Sequence, residues 1–191
     1  MGYLQTIVNY INDAIAGLCD NKKIIGIAQG MPRTNGDKIE IFPSYVNDDG
    51  EGVYVGPDDD FDLITYHKVN SIIASKGRLK SSYGDDGLHD VHSARISLVV
   101  FGRRDKLRMS NDEVAVQIHS LFPEAATKEM IKSMQLRAAN INVKDINLND
   151  MQVFAEEYQN VPFFLKPEQF LFKLNYNIES AFLKRCFTNK C

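Results

Sequence analysis

Near its carboxyl end the chain reads Phe170-Leu-Phe-Lys-Leu-Asn-Tyr-Asn-Ile-Glu179, and this stretch decides the fold. Phe170, Phe172, Leu174, Tyr176 and Ile178 occupy every second position, with Leu171, Lys173, Asn175, Asn177 and Glu179 between them. A strand sends alternate side chains to opposite faces, so the pattern predicts one aromatic face for a core and one wet, mostly polar face. Aromatic side chains suit such a half-buried pleated surface. The stretch is long against the usual strand of about five or six residues, and it needs partners along its length.

The best partner is Ala94-Arg-Ile-Ser-Leu-Val-Val-Phe101, a nearly continuous apolar run of the kind found in a central strand covered on both faces. The two are expected to be neighbours at the sheet centre. Phe61 to Ala74 reads as a further strand, with a break or bulge near Asn70-Ser71. Between it and Ala94 lie the polar residues 75–93, too long a connection for an ordinary hairpin and therefore expected to be functional or disordered.

The remaining chain supplies helices and edge strands. Leu4, Ile7, Val8, Ile11, Ile15 and Leu18 recur at steps of three and four, which predicts an amphipathic helix over 3–18. Ile24–Ala28 reads as a short buried strand and residues 29–37 as a loop. Lys38-Ile-Glu-Ile-Phe42 alternates, and Pro43 either ends it or marks a sheet edge. Ser110 with Glu113 forms a capping-box pattern for a helix running to about Leu121, and Asn149–Tyr158 reads as a second capped helix. Residues 124–138 fit a helix through Met130, Met134 and Ala138, or a strand through Met134, Leu136 and Ala138. Asn140–Leu148 alternates as a strand. The expectation is an α+β fold over 1–191 as a single domain. It comprises a mostly antiparallel sheet with a long C-terminal strand, helices packed on it and a long inserted hairpin loop.

With a formal net charge of −3 over 191 residues, the chain has no basic field to attract DNA. No apolar run approaches the roughly 20 residues that span a bilayer, and the first residues lack a signal-peptide pattern. Cys19, Cys186 and Cys191 read as free thiols of a reducing compartment.

Catalytic signatures are sparse. His89-Asp-Val-His92 with Asp85, Asp86 and Asp90 is the best metal candidate, but Gly84 and Gly87 make the segment a loop without a helical zinc signature. Asp62, Glu40 and Lys38 could form a nuclease-type acidic pair, though nothing in the spacing fixes that geometry. His67 and His119 read as surface or satisfied core histidines. Neither a nucleophile elbow nor a phosphate loop occurs. The acidic stretch 47–60 lacks the ligand spacing of a calcium loop. The expectation is therefore no catalytic residue, no metal and no cofactor.

Charge is instead arranged in opposed loops. Asp58, Asp59 and Asp60 are acidic; Lys76, Arg78 and Lys80 in the long loop, and Arg103 and Arg104 in a later turn, are basic. These are either solvated faces or patches that meet across subunits, since a head-to-tail contact uses two different surfaces and closes into a ring. Tyr83 and Leu88 would add apolar contact from the long loop.

Several motifs recur in order in one structural family: Tyr66-His67-Lys68, Ser82-Tyr83-Gly84-Asp85, Ser97-Leu-Val-Val-Phe101 and Gln152-Val-Phe. Pro162-Phe-Phe-Leu, Pro167-Glu-Gln-Phe-Leu-Phe and Asn175-Tyr-Asn-Ile-Glu-Ser180 follow. Over roughly residues 60–187 the chain thus resembles neck proteins of tailed bacteriophages with the tail-terminator (tail-completion) fold, particularly those of phages infecting Bacteroidetes. The resemblance implies a virion component, made in the host cytoplasm, that forms a six- or twelve-fold ring joining the head connector to the tail. Its partners would be copies of itself, portal or connector proteins and tail proteins. Genome DNA would pass through the lumen without specific binding. A small metal-dependent hydrolase or nuclease, and a monomeric adaptor binding through a sheet edge, are the alternatives.

Overall fold

A computed structural model describes residues 3–77, 89–122 and 136–182. Its frame is a seven-stranded sheet in the order β3-β2-β1-β4-β5-β7-β6. The strands are β1 Lys22–Asn35, β2 Lys38–Val46, β3 Gly52–Tyr54, β4 Leu63–Gly77, β5 His89–Arg103, β6 Leu136–Asn147 and β7 Gln169–Phe182. Only β1 and β4 pair parallel; every other neighbour is antiparallel. The helices among the described residues are α1 Tyr3–Ile15, α2 Arg104–Leu107, α3 Asn111–Leu121 and α4 Asp150–Glu157. The fold is α+β.

β7 lies between β5 and β6 and pairs with β5 from Gln169 to Phe182. On one face Phe170, Phe172, Leu174, Tyr176 and Ile178 join Ala94, Ile96, Leu98 and Val100 of β5. Leu4, Ile7, Ile11 and Ile15 of α1 and Val114, Ala115 and Ile118 of α3 close over them. Gly102 of β5 is required here, because a Cβ at that position would stand 2.1 Å from the Phe170 ring. The opposite face differs from expectation over its first half. Leu171 is buried with Val99 and Phe101 under Val153 and Phe154 of α4 and Tyr158 just after it, so the sheet is clad on both sides there. Lys173 is buried as well, because its ammonium reaches Glu156 and Glu157 of α4. Farther along this face Asn175 and Asn177 are partly exposed and Glu179 is exposed.

Two other expectations change. Residues 29–35 are strand rather than loop: β1 continues past Ala28 and pairs with β2 from Gln29↔Ser44 to Asn35↔Lys38. The turn is only Gly36-Asp37, with Gly36 at φ 60° as tight hairpin turns require. Pro32 is tolerated because β1 has left β4 by then and carries a partner on one side only. β2 likewise runs through Pro43. The Pro43 carbonyl accepts from the Val55 N–H on the β3 side. Its missing N–H therefore faces the same way, and the ladder to β1 loses nothing.

The long connection is also shorter than the expected 75–93. β4 and β5 stay paired to Gly77↔His89, and 78–88 lie outside the described residues. A register shift between Val69 and Ser71 marks the anticipated bulge. α1 stops at Ile15 rather than 18, and the expected basic turn at 103–106 is in part the single turn α2. Most of the ambiguous 124–138 also falls outside the described residues; Leu136 begins β6. The capping box of α3 is present, with Ser110 Oγ accepting from the Glu113 N–H and the Glu113 carboxylate accepting from the Ser110 N–H. Asn149 caps α4 by accepting from the Gln152 N–H.

Candidate interaction surfaces

The charged loops singled out by sequence meet one another inside the chain. Lys166 is ion-paired with the Asp59 carboxylate, to which Gln169 also donates, and Lys23 lies 3.8 Å from Asp58. The hydrogen bond from Lys166 is the main cause holding the Asp59 carboxyl below its ordinary range. Arg103 donates to the Asp59 carbonyl and to both carboxylate oxygens of Asp105. Arg104 donates to the carbonyls of Pro167 and Gln169 and sits over the Phe170 ring. Asp60 uses its backbone, accepting from Asn21 and donating to Asp58. These contacts lace the loop before β4 to the turn after β5 and the start of β7. The Asp58 and Asp59 carboxylates stay partly exposed; Arg103 and Arg104 are committed to local partners.

Of the loop candidates, Lys76 lies on β4, whereas Arg78, Lys80, Tyr83 and Leu88 fall outside the described residues, as do Asp85 and Asp86. His89 and His92 are both on β5. The His92 ring is edge-on to Tyr3. Among the described residues no group of three or more His, Cys, Asp or Glu side chains could hold a metal. Glu40 accepts from Asn35 and Asp62 from Asn21, so the acidic pair has separate partners.

His67 is a satisfied core histidine. It is fully buried and bridges Tyr176 Oη and Asn12 Oδ1, each at 2.8 Å. Asn12 Nδ2 donates to the Ile25 carbonyl, which turns Oδ1 toward the imidazole and makes Nε2 the donor. Tyr176 then donates to Nδ1. Burial among neutral groups lowers the His67 pKa to about 3. His119 is exposed near the end of α3.

A second polar system ties α4 to the sheet. Glu157, only 4% exposed, pairs with Lys68 of β4 at 2.8 Å and lies 3.6 Å from Lys173 of β7. Beyond it a row crosses four strands: Asn70 donates to Ser97, Ser97 to Asn175, and Asn175 to Asp145.

The surface that the sequence did not reveal is the outer edge of β4. β1 leaves β4 after Ala28↔Lys68, and among the described residues no other strand lies along β4 from Val69 onward. Ile72 is 55% and Ile73 53% exposed there. The signal was present in Ser71-Ile-Ile-Ala-Ser75: two adjacent isoleucines on a strand face opposite ways, so they cannot both enter a one-sided core.

Two open clefts are less specific. One of about 450 Å³ is lined by Lys23, Phe42, Tyr54, Asp58 and Phe164, and one of about 610 Å³ by His119, Phe122, Asn142 and Glu179. Ser120 also lines the second cleft beside His119, but its hydroxyl donates to the Gln117 carbonyl. No helix among the described residues is long and apolar enough to cross a membrane. No family model and no curated protein matches the chain.

Proposed function

We propose that the chain is a structural protein of a tailed-phage particle, forming a ring in the neck that joins the head connector to the tail. The observation that carries the reading is the outer edge of β4, which among the described residues has no strand beside it from Val69 onward, on a hairpin that continues past the strand covering its base. A long strand edge with exposed isoleucines is a template for pairing with another chain, and natural proteins rarely leave one unguarded. The residues behind the resemblance support the reading. Tyr66–Lys68, Ser97–Phe101 and Asn175–Ser180 lie on β4, β5 and β7, three adjacent strands. In this reading the chain performs no reaction and takes no cofactor. Its partners are copies of itself with connector and tail proteins, and DNA passes the lumen without specific contacts.

The test is direct. Particles encoded by the same genome should contain the chain at constant stoichiometry by mass spectrometry, with gold-labelled antibody at the head–tail junction. Particles without it overturn the reading. The bare edge also favours a monomeric adaptor that takes a partner's strand in the same place. An adaptor would be found bound one-to-one to a different protein and never to itself.

A further inference from the structure

We infer that copies of this chain join by antiparallel pairing of the β4 edge of one copy with the β6 edge of the next. The inference rests on the self-assembling reading above and names the surfaces that make the contact.

Beyond the point where β1 departs, the sheet is reduced to β4-β5-β7-β6, with β4 on one side and β6 on the other. Among the described residues both outer edges lack a strand partner, and an edge of free N–H and C=O groups is stabilised by gaining one. Direction is right for mutual pairing. β4 is antiparallel to β5, β5 to β7 and β7 to β6, so β6 runs opposite to β4. Placing β6 of one copy beside β4 of the next therefore continues the antiparallel alternation without a break.

Level is right too. Following the pairings across the sheet, Ile72 aligns with Ala94, Ile178 and Ile141, and Ile73 with Ser93, Glu179 and Asn140. The regular part of β6, Ala138 to Val143, spans the same levels as Ser75 to Val69 of β4. An unstaggered junction sets Ile141 beside the neighbour's Ile72 on one face, and the exposed Asn140 beside Ile73 on the other. The next register shift of β6, between Val143 and Asp145, puts Lys144 in a bulge. Asp145 is level with Asn175, Ser97 and Lys68, where β1 still occupies the β4 edge. A bulge bends a strand and a lysine discourages further pairing, so β6 turns away where a neighbour's β1 would block it.

The geometry also selects the mode of assembly. Pairing β4 with a second β4 about a two-fold axis would leave both β6 edges open. Joining β4 to β6 uses two different surfaces, leaves none over in a closed set, and gives a ring if the rotation closes.

Two variants of the full chain separate these modes. Ile72→Lys/Ile73→Lys charges the β4 edge, and Asn140→Lys/Asn142→Lys charges the β6 edge. Asn140 and Asn142, like Ile72 and Ile73, are exposed, so in dilute solution both variants should keep the wild-type melting temperature and circular dichroism. Light scattering of the concentrated wild type should give species larger than a dimer. Each variant alone should be monomeric. Mixed, they should give a one-to-one dimer and nothing larger, because the mixture holds one intact β4 edge and one intact β6 edge per pair. A wild type that stays monomeric at its highest soluble concentration overturns the inference. So does a β6-edge variant that dimerises by itself. Either result leaves the neck reading to the particle experiment, which does not depend on how copies join.

Discussion

β7 and β4 are nearly the same length, 14 and 15 residues, yet they live in different surroundings. β7 has β5 beside it from Gln169 to Phe182 and β6 on its other side from Lys173 to Phe182, and Phe170–Leu174 have a helix layer above and below. β4 matches it only from Leu63 to Lys68, where β1 flanks it; Leu63 to His67 are buried and Asn70 to Ser75 are largely exposed. Neighbours, more than the side chains themselves, decide which half of a strand contributes to stability and which is left for contact. Isoleucine occurs in both surroundings, and only position gives it a different role.

The largest expected difference tests the buried side. Phe172 is fully buried between α1, α3 and the sheet, and Phe172→Ala should lower stability by about 3–5 kcal/mol. A urea midpoint equal to that of the wild type would remove β7 from the core and dissolve the contrast.

The Glu157 clamp comes next. Glu157→Leu strands Lys68 and Lys173 against α4 and should cost about 3 kcal/mol, the low end for a broken buried pair because Glu156 still faces Lys173. Adding Lys173→Met should recover part of that loss. A double-mutant cycle with no coupling would show that apolar packing alone holds α4 to the sheet.

The His67 network gives a pH dependence with a definite sign. The folded imidazole has a pKa of about 3, below the unfolded value of 6.5. Below about pH 6.5 the unfolded chain binds a proton that the folded chain refuses, so stability falls as pH falls, down to about pH 3. At pH 5 the loss should be about 2 kcal/mol, before carboxylates such as Glu156 begin to protonate. His67→Gln should abolish the slope between pH 6.5 and 5. If it persists, another group carries it.

Much of this was readable in advance, and the exceptions share a cause. The apolar alternation of β7, the run in β5 and the Ser110–Glu113 cap are local patterns, and the structure keeps them. Leu171 and Lys173 were harder to place, because α4 covers them from elsewhere in the chain. Residues 29–35 looked like loop through Gly30 and Pro32, and became strand only because β2 folds back on them. The charged residues were easy to find but not to pair: Asp59 and Lys166 are far apart in sequence and adjacent in space. The bare β4 edge depends on where β1 turns away, a fact about topology that composition does not encode. An intermediate effect illustrates the local kind: Ser110→Ala should cost about 1 kcal/mol, measured by urea unfolding, by freeing one helix N–H.

The smallest expected effect is the sharpest test of the comparison. Ile72 and Ile178 lie at one level on one face of the sheet, joined through Ala94 of β5. Ile178 is fully buried and Ile72 is 55% exposed. Ile178→Ala should cost about 2–5 kcal/mol, because it leaves a cavity between packed neighbours. Ile72→Ala should change the stability of dilute protein by no more than about 0.5 kcal/mol, as surface substitutions usually do. The same side chain is removed in each case, so the difference measures the surroundings alone. If the two cost the same in dilute solution, something covers the β4 edge within the monomer, and the contrast fails. If the Ile72→Ala cost is small when dilute and grows with protein concentration, the edge gains its cover from another copy, because association stabilises only the folded chain. Ile178→Ala should show no such growth.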